Sequence, residues 1–348
     1  MTDAAAASSQ PDKPHPQDIL FEGVRVPAQL PVCDHYAGNE KFLAKALAIR
    51  KEMGPVFDIT LDLEDGAKVG EENRAAQWAL NACRQFSADK RGLGVRIHDV
   101  DHAAFRDDLN VLLASPDVNI AYIMLPKANN AEDVAHAAYE IDYRCQQNGW
   151  SKSPALHVLI ETPGAVLDVE KIAGLKPVES LSFGVMDYVS HFNGAVPESA
   201  MRSPLQFEHA LLVKARVDIA MACHRFGKVP SHNVCTQFKD MQQVRSDAMR
   251  ARNEFGFTRM WSIHPEQIPV IVQAFAPDIH LVQKSCAILE KAANASWGPI
   301  EHEGQLHDRA SFRYYWQIVR SAFNCGCDVY GVALPETVAQ WCRHLPEH

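Results

Sequence analysis

Short apolar runs alternate with helix-patterned segments along most of the chain, and this alternation restricts the fold more than any other feature. Strand-like runs are expected near 24–32 (VRVPAQLPV), 56–63 (VFDITLDL), 93–97 (LGVRI), 119–126 (NIAYIMLP), 155–161 (ALHVLIE), 180–186 (SLSFGVM), 228–234 (KVPSHNV) and 259–264 (RMWSIH). Most are rich in Val, Ile, Leu and Tyr and have strand-like lengths. Pro and polar residues interrupt the first and the seventh. Helix-like segments between them include 39–52, 131–148 and 204–226. In the last, Ser203 is the expected N-cap, Pro204 the first helical residue and Gly227 the residue past the end. About eight strand–helix repeats in roughly 250 residues predict a (β/α)8 TIM barrel. An open doubly wound sheet competes, but no GxGxxG follows the first run, which weakens its dinucleotide-binding form.

After about residue 280 the pattern changes to two helical stretches, 280–296 and 308–324, and a short apolar end containing Pro335. The expected organisation is a disordered tail at 1–18, a barrel at 19–279 and a C-terminal helical appendage or lid at 280–348. The tail, MTDAAAASSQPDKPHPQD, is small, polar and Pro-punctuated, with too little apolar area to offset ordering. It has neither the pattern of a secretory signal nor that of a transit peptide, so a cytoplasmic protein is expected.

Barrel enzymes carry their chemistry at the C-terminal ends of the strands. There the chain places Asp62, Glu64 and Asp65 after the second run, Arg96 and His98 on the third, Lys127 after the fourth, Glu161 after the fifth, Asp187 after the sixth and His264 after the eighth. Glu161 and Asp187 are one βαβ step apart, and neighbouring parallel strands lie about 4.8 Å apart. Two such carboxylates can share a hard cation whose remaining ligands are water and substrate oxygens. They can equally cap the helices that follow. Arg96 is a planar two-point donor for a substrate carboxylate or for the Asp62/Glu64/Asp65 cluster. The DLEDG turn is also readable as an exposed acidic turn, Lys127 as surface charge, and His264 as part of a strand–helix turn.

Net charge −9 argues against a nucleic-acid partner, which requires a basic surface. No apolar run approaches the roughly 20 residues that span a bilayer. The nine cysteines show no zinc-site spacing and are expected to be reduced, mostly buried thiols.

The motifs LDLEDGAKVGEENRAA (61–76), VRIH (95–98), MLPKANNAEDV (124–134), LIETPGAV (159–166), LSFGVMDY (181–188) and GFTRMWSIHPEQIPVIVQAFAP (256–277) occur in one order. Together they resemble the HpcH/HpaI aldolase and citrate lyase beta-subunit family, which includes malyl-CoA lyases. The resemblance covers about residues 22–280, with a looser match at 297–310 (WGPIEHEGQLHDRA). It implies a (β/α)8 barrel, a homotrimer or homohexamer, Mg2+ (or Mn2+) on Glu161 and Asp187, and a ketoacid carboxylate on Arg96. Glu64 and Asp65 fall on the acidic turn lining the site. Asp308 falls on the acid that handles a proton at the enolate carbon. Lys127 and His264 are carried as further substrate contacts. Three positions depart from the family pattern. The CoA-binding segment reads VRVPAQLPVCDHYAGN, the usual Asn after Arg is His98, and the lid's Asp-Gly is Glu303-Gly304.

The resemblance implies a metal-dependent carbon–carbon lyase. It would cleave or form a 3-hydroxyacyl compound, expected to be a CoA ester, with a glyoxylate-, pyruvate- or oxaloacetate-like partner. A CoA-independent hydroxy-ketoacid aldolase, a CoA thioester hydrolase and a non-catalytic lyase subunit are the alternatives.

Overall fold

The computed structural model describes residues 15–66, 69–86, 91–326, 331 and 333–345. Eight parallel strands close into a barrel in sequence order: β1 (Cys33–Ala37), β2 (Phe57–Asp62), β3 (Leu93–Arg96), β4 (Ile120–Leu125), β5 (Ala155–Ile160), β6 (Val178–Phe183), β7 (Val229–His232) and β8 (Arg259–Ser262). β8 pairs with β1 to close the ring. Helices follow the strands, as the alternation predicted. Their ends carry local signals. Asn39 and Asn130 accept backbone N–H groups at the starts of Glu40–Met53 and Ala131–Gln147. Gly227 and Gly256, both left-handed, end Ala210–Phe226 and Met241–Phe255.

Three expectations are corrected. The first strand is Cys33–Ala37, not 24–32. CDHYA reads as polar, yet every residue of it is buried. Asp34 and Tyr36 point into the barrel, where they meet residues of non-neighbouring strands: Asp34 accepts from Tyr122 of β4 (3.1 Å), and Tyr36 donates to the Met124 sulfur. A polar barrel interior hides such a strand from an apolar-run search. Second, the helix expected from Pro204 begins at Ala210. Residues 205–207 form a short 3-10 turn instead, and Ser203 donates to Asp247 rather than capping a helix.

Third, the chain divides into two units, and among the described residues 15–26 group with Pro277–Phe323 and 333–345, not with the barrel. Of the tail expected at 1–18, residues 1–14 lie outside the described residues, while Pro16–Leu20 is helical. Leu20 and Phe21 are buried with Val282, Leu289, Phe312, Trp316 and Trp341, so this second unit has its own core. The eight described cysteines are buried; Cys327 lies outside the described residues. No described helix is long and apolar enough to cross a membrane.

Three layers of side chains fill the barrel. At the N-terminal end, Arg259 pairs with Asp34 (3.1 Å) and Asp58 (2.5 Å), and Thr60 and Tyr122 bond to Asp34. Gly94 leaves room for the Tyr122 ring, since a Cβ there would lie 2.1 Å from it. Above them Tyr36, Met124, Leu159 and Trp261 form an apolar cluster, with Tyr36 and Trp261 stacked at 4.7 Å. Asp62, Arg96 and Glu161 come two residues beyond Thr60, Gly94 and Leu159, at the C-terminal ends of the strands. The apolar layer separates the lower ion network from this upper one.

Candidate active site

The upper layer lies at the C-terminal ends of the strands. Asp62 ends β2 and Arg96 ends β3, in register with each other. Arg96 donates Nε and Nη2 to the two Asp62 oxygens, both at 2.7 Å. Its Nη1 lies 3.1 Å from Glu64, and its guanidinium sits 5.1 Å from the centre of the Tyr36 ring. Burial opposes the charge on Arg96, but Asp62 outweighs it and holds its pKa above the ordinary value. Asp62 also accepts the N–H groups of Glu64 (3.1 Å) and Gly66 (2.9 Å), so one carboxylate both folds the DLEDG turn and orients the arginine. In the sequence Asp62 stands out only as part of an acidic cluster. Its inward register beside Arg96 was the available signal.

Lys127 follows β4 in a left-handed conformation (φ 52°). Its N–H donates to Glu161 (2.7 Å), and its ammonium bonds to Glu64 and, at 3.1 Å, to Asp65. The side chain is half-buried, so it is not simply surface charge. Burial pushes the Glu64 pKa up, against the pull of Arg96 and Lys127. Asp65, also opposed by burial, is held below the usual carboxylate range by hydrogen bonds from Glu64 and Lys127.

Glu161 follows β5 and is buried. Gly184, just past β6, donates its N–H to the Ile160 carbonyl, which carries the pairing of the two strands to their ends. A Cβ at 184 would lie 2.2 Å from Glu161 Oε2 and 2.6 Å from its Cβ. Glycine therefore lets the carboxylate lie over the start of the helix Val185–Ser190, whose first turn carries Asp187. Burial first, and then the Asp187 charge, push the Glu161 pKa up to about 8. The Glu161 carboxylate accepts one hydrogen bond and the half-buried Asp187 carboxylate none among the described residues. Two under-satisfied carboxylates, with the Glu161 pKa raised by burial and by the Asp187 charge, are what a divalent cation would relieve, so the residues fit Mg2+. Gly184→Ala is expected to weaken Mg2+ binding roughly 10–100-fold with the barrel intact, by displacing Glu161. Calorimetric titration with Mg2+ checks this, and unchanged affinity would contradict the packing argument.

Arg96, Glu64, Asp65, Lys127, Glu161 and Asp187 thus form one connected cluster. His264 stands in the turn after β8: its Nδ1 accepts from Glu266 (3.4 Å), and its ring stacks on Phe238 (5.5 Å). These contacts match the turn reading. Asp308 belongs to the second unit, where it is exposed and accepts the Ala310 N–H (3.0 Å) at the head of the helix Arg309–Asn324. Just before it, Ile300–His302 and Gln305–His307 form a hairpin whose turn, Glu303-Gly304, has positive φ at both residues.

Comparison with known proteins follows the same outline. The model of the HpcH/HpaI aldolase/citrate lyase family matches residues 43–265. An L-malyl-CoA/beta-methylmalyl-CoA lyase of Rhodobacter capsulatus is 28% identical over 276 residues, covering 76% of this chain and 86% of that protein. A crystal structure of a citrate lyase from Burkholderia xenovorans LB400 is similar with TM-score 0.80 and 47% identity, over 94% of this chain and 99% of that one. The protein CitE of Mycobacterium tuberculosis, crystallised with magnesium, acetoacetate and coenzyme A, shares the fold with TM-score 0.62 and 23% identity, over 86% of this chain and 98% of that one.

Proposed function

The chain belongs to the HpcH/HpaI aldolase/citrate lyase family, which makes it a carbon–carbon lyase, and from that premise we propose a Mg2+-dependent lyase that cleaves or forms a 3-hydroxyacyl-CoA ester. Its second product or substrate is a small ketoacid of the glyoxylate, pyruvate or oxaloacetate kind. The observation that carries this reading is the pairing of Glu161 with Asp187 beside a buried arginine. The kinship with a malyl-CoA lyase supports the CoA ester over a free acid. The proposed assembly is a homotrimer or homohexamer.

Glu161 and Asp187 would hold the Mg2+ ion, which when bound supplies Lewis-acid polarisation of substrate oxygens. The guanidinium of Arg96 has five N–H donors, and Asp62 takes two of them. The remaining donors bind the ketoacid carboxylate and fix its orientation. Lys127 holds Glu64 and Asp65 together on one side of the pocket while its backbone fixes Glu161. Tyr36 and Trp261 close the floor and exclude water beneath the reacting atoms. Asp308 remains the proposed acid at the enolate carbon. Conversion of Asp308 to Asn is expected to spare ketoacid binding and lose turnover.

The deciding experiment supplies purified protein with Mg2+ and a panel of 3-hydroxyacyl-CoA esters and the matching free acids. Ketoacid and acyl-CoA should appear in equal amounts from the esters. Free thiol without carbon–carbon cleavage would mean a thioester hydrolase, and faster cleavage of free acids would mean a CoA-independent aldolase.

A further inference from the structure

Two residues beyond Arg96, His98 carries an imidazole that the mechanism above does not use. Its Nδ1 lies 2.7 Å from Asp108 Oδ2, and the same oxygen accepts the His98 backbone N–H at 3.0 Å. Asp108 is 1% exposed, in the first turn of the helix Phe105–Leu112. A buried carboxylate facing Nδ1 fixes the neutral tautomer with the proton on Nδ1 and leaves Nε2 as the acceptor. Nε2 has no hydrogen-bond partner among the described residues, and it is absent from their fully buried unpartnered atoms. The ring is also held by stacking on His102, with centroids 4.3 Å apart.

The placement points at the substrate. His98 lies two residues past the end of β3, about 6–7 Å of extended chain beyond Arg96 on the C-terminal side of the barrel, and Glu64, which pairs with Arg96, also acts on its ring. Pairing of this segment with β4 continues past Arg96, since the Ile97 N–H donates to the Met124 carbonyl (3.1 Å). The charged and titratable groups facing the ring are Asp108 on its own helix, Glu64 after β2, Glu72 on the helix Glu72–Gln85 and His102 in the intervening loop. Burial lowers the His98 pKa, but the Asp108 hydrogen bond and charge, aided by Glu64 and Glu72, outweigh it and raise the pKa above its usual value. That suits a base working near neutral pH.

We propose that His98, oriented by Asp108, is the base that removes the substrate's hydroxyl proton through Nε2. The inference rests on the lyase reading. In the cleavage direction the hydroxyl proton passes to Nε2, and the O–H electron pair becomes the carbonyl π bond of the ketoacid. The carbon–carbon pair leaves with the acyl fragment as its enolate. The imidazolium formed is balanced by Asp108. In the synthetic direction the same proton returns to the new alkoxide.

The test measures kcat and KM against pH for the wild type, His98→Asn and Asp108→Asn with a cleavable 3-hydroxyacyl-CoA ester and Mg2+. Wild-type activity should rise with pH through an acid limb above the ordinary histidine pKa. His98→Asn should lower kcat about 10²-fold or more, change KM less than threefold and remove the limb. Asp108→Asn keeps an acceptor for Nδ1 but removes the charge, so the limb should move to lower pH. A purely structural histidine would show none of these pH effects. His98→Asn with near-wild-type kcat, or an unchanged limb, overturns the proposal. A second measurement needs no turnover. The Nε2 resonance of the wild type is followed by NMR with Mg2+ and malate, and with succinate, which lacks the hydroxyl. Malate alone should shift it, and no shift with malate overturns the proposal. Failure of every ester to react would remove the lyase reading, while this second measurement still decides the role of His98.

Discussion

Glu161→Gln and Asp187→Asn should each lower Mg2+-dependent turnover by roughly 10³-fold, about 4 kcal/mol of barrier, while leaving the barrel folded. Burial raises the cost of ionising Glu161, and the nearby Asp187 charge raises it further. Above about pH 8, where Glu161 is ionised, the metal-free variants should therefore melt no lower than the wild type, because each substitution removes a like-charge repulsion. Wild-type protein should gain melting temperature on adding Mg2+, and the variants should not. Near-wild-type turnover in either variant would remove the metal assignment.

The raised Glu161 pKa gives this prediction a pH dependence with a definite sign. Burial and the Asp187 charge push the Glu161 pKa in the folded protein up to about 8, against an ordinary 4.5. Between these values the folded chain holds a proton that the unfolded chain has released. Metal-free stability therefore falls as pH rises from about 4.5 to about 8. Mg2+ must displace the same proton, so its affinity should rise about tenfold per pH unit toward pH 8 and level off above it. Calorimetry in buffers of different ionisation enthalpy would read the released proton directly. In Asp187→Asn the repulsion is gone, so residual metal binding should level off at a lower pH.

The second large effect is expected at Arg96. Arg96→Met leaves the buried carboxylates of Asp62 and Glu64 without their counter-charge, a loss of about 3–5 kcal/mol. The deficit should depend on pH. Without the guanidinium, which opposes the upward push of burial on Glu64, that carboxylate titrates still higher in the folded state than in the unfolded chain. The variant therefore loses stability relative to wild type as pH rises through the carboxylate range, and the gap narrows as pH falls toward 4. Arg96→Lys restores a charge but not the two-point fork to Asp62, so it should recover stability only in part. Both variants should bind a ketoacid in the presence of Mg2+ at least about tenfold more weakly. Wild-type ketoacid affinity in Arg96→Lys would make Arg96 a structural ion-pair partner alone.

Of the two readings of Arg96 left open by the sequence, the structure holds the ion pair, and the substrate contact is the proposal. The ion pair with the acidic cluster is present, and it orients the fork for the proposed substrate contact. The case of Lys127 is similar. Its side-chain partners, Glu64 and Asp65, could be suspected from the strand-end pattern. Its backbone bond to Glu161 could not, because a left-handed φ at a non-glycine residue leaves no mark in the sequence. Asp108 stands ten residues beyond His98, on a helix with an ordinary acidic first turn, and no spacing rule links the two.

By itself the sequence determined the barrel, the order of its strands from β2 to β8, and the strand-end identities of Arg96, Lys127, Glu161 and Asp187. Hydrophobic periodicity is a local property of the chain, and barrel enzymes place their chemistry at strand ends. Only the tertiary structure decided where β1 lies, since Asp34, Tyr36 and their neighbours are tolerable as buried strand residues once Arg259 and Thr60 on the flanking strands and Met124 across the barrel converge on them. It also decided that residues 15–26 pack with the C-terminal unit, that Asp62 serves both Arg96 and the DLEDG turn, and that Gly184 makes room for Glu161. Each of these depends on groups far apart in the chain meeting inside a closed ring of strands, where burial sets the cost of a charge and only a partner brought there by the fold can offset it.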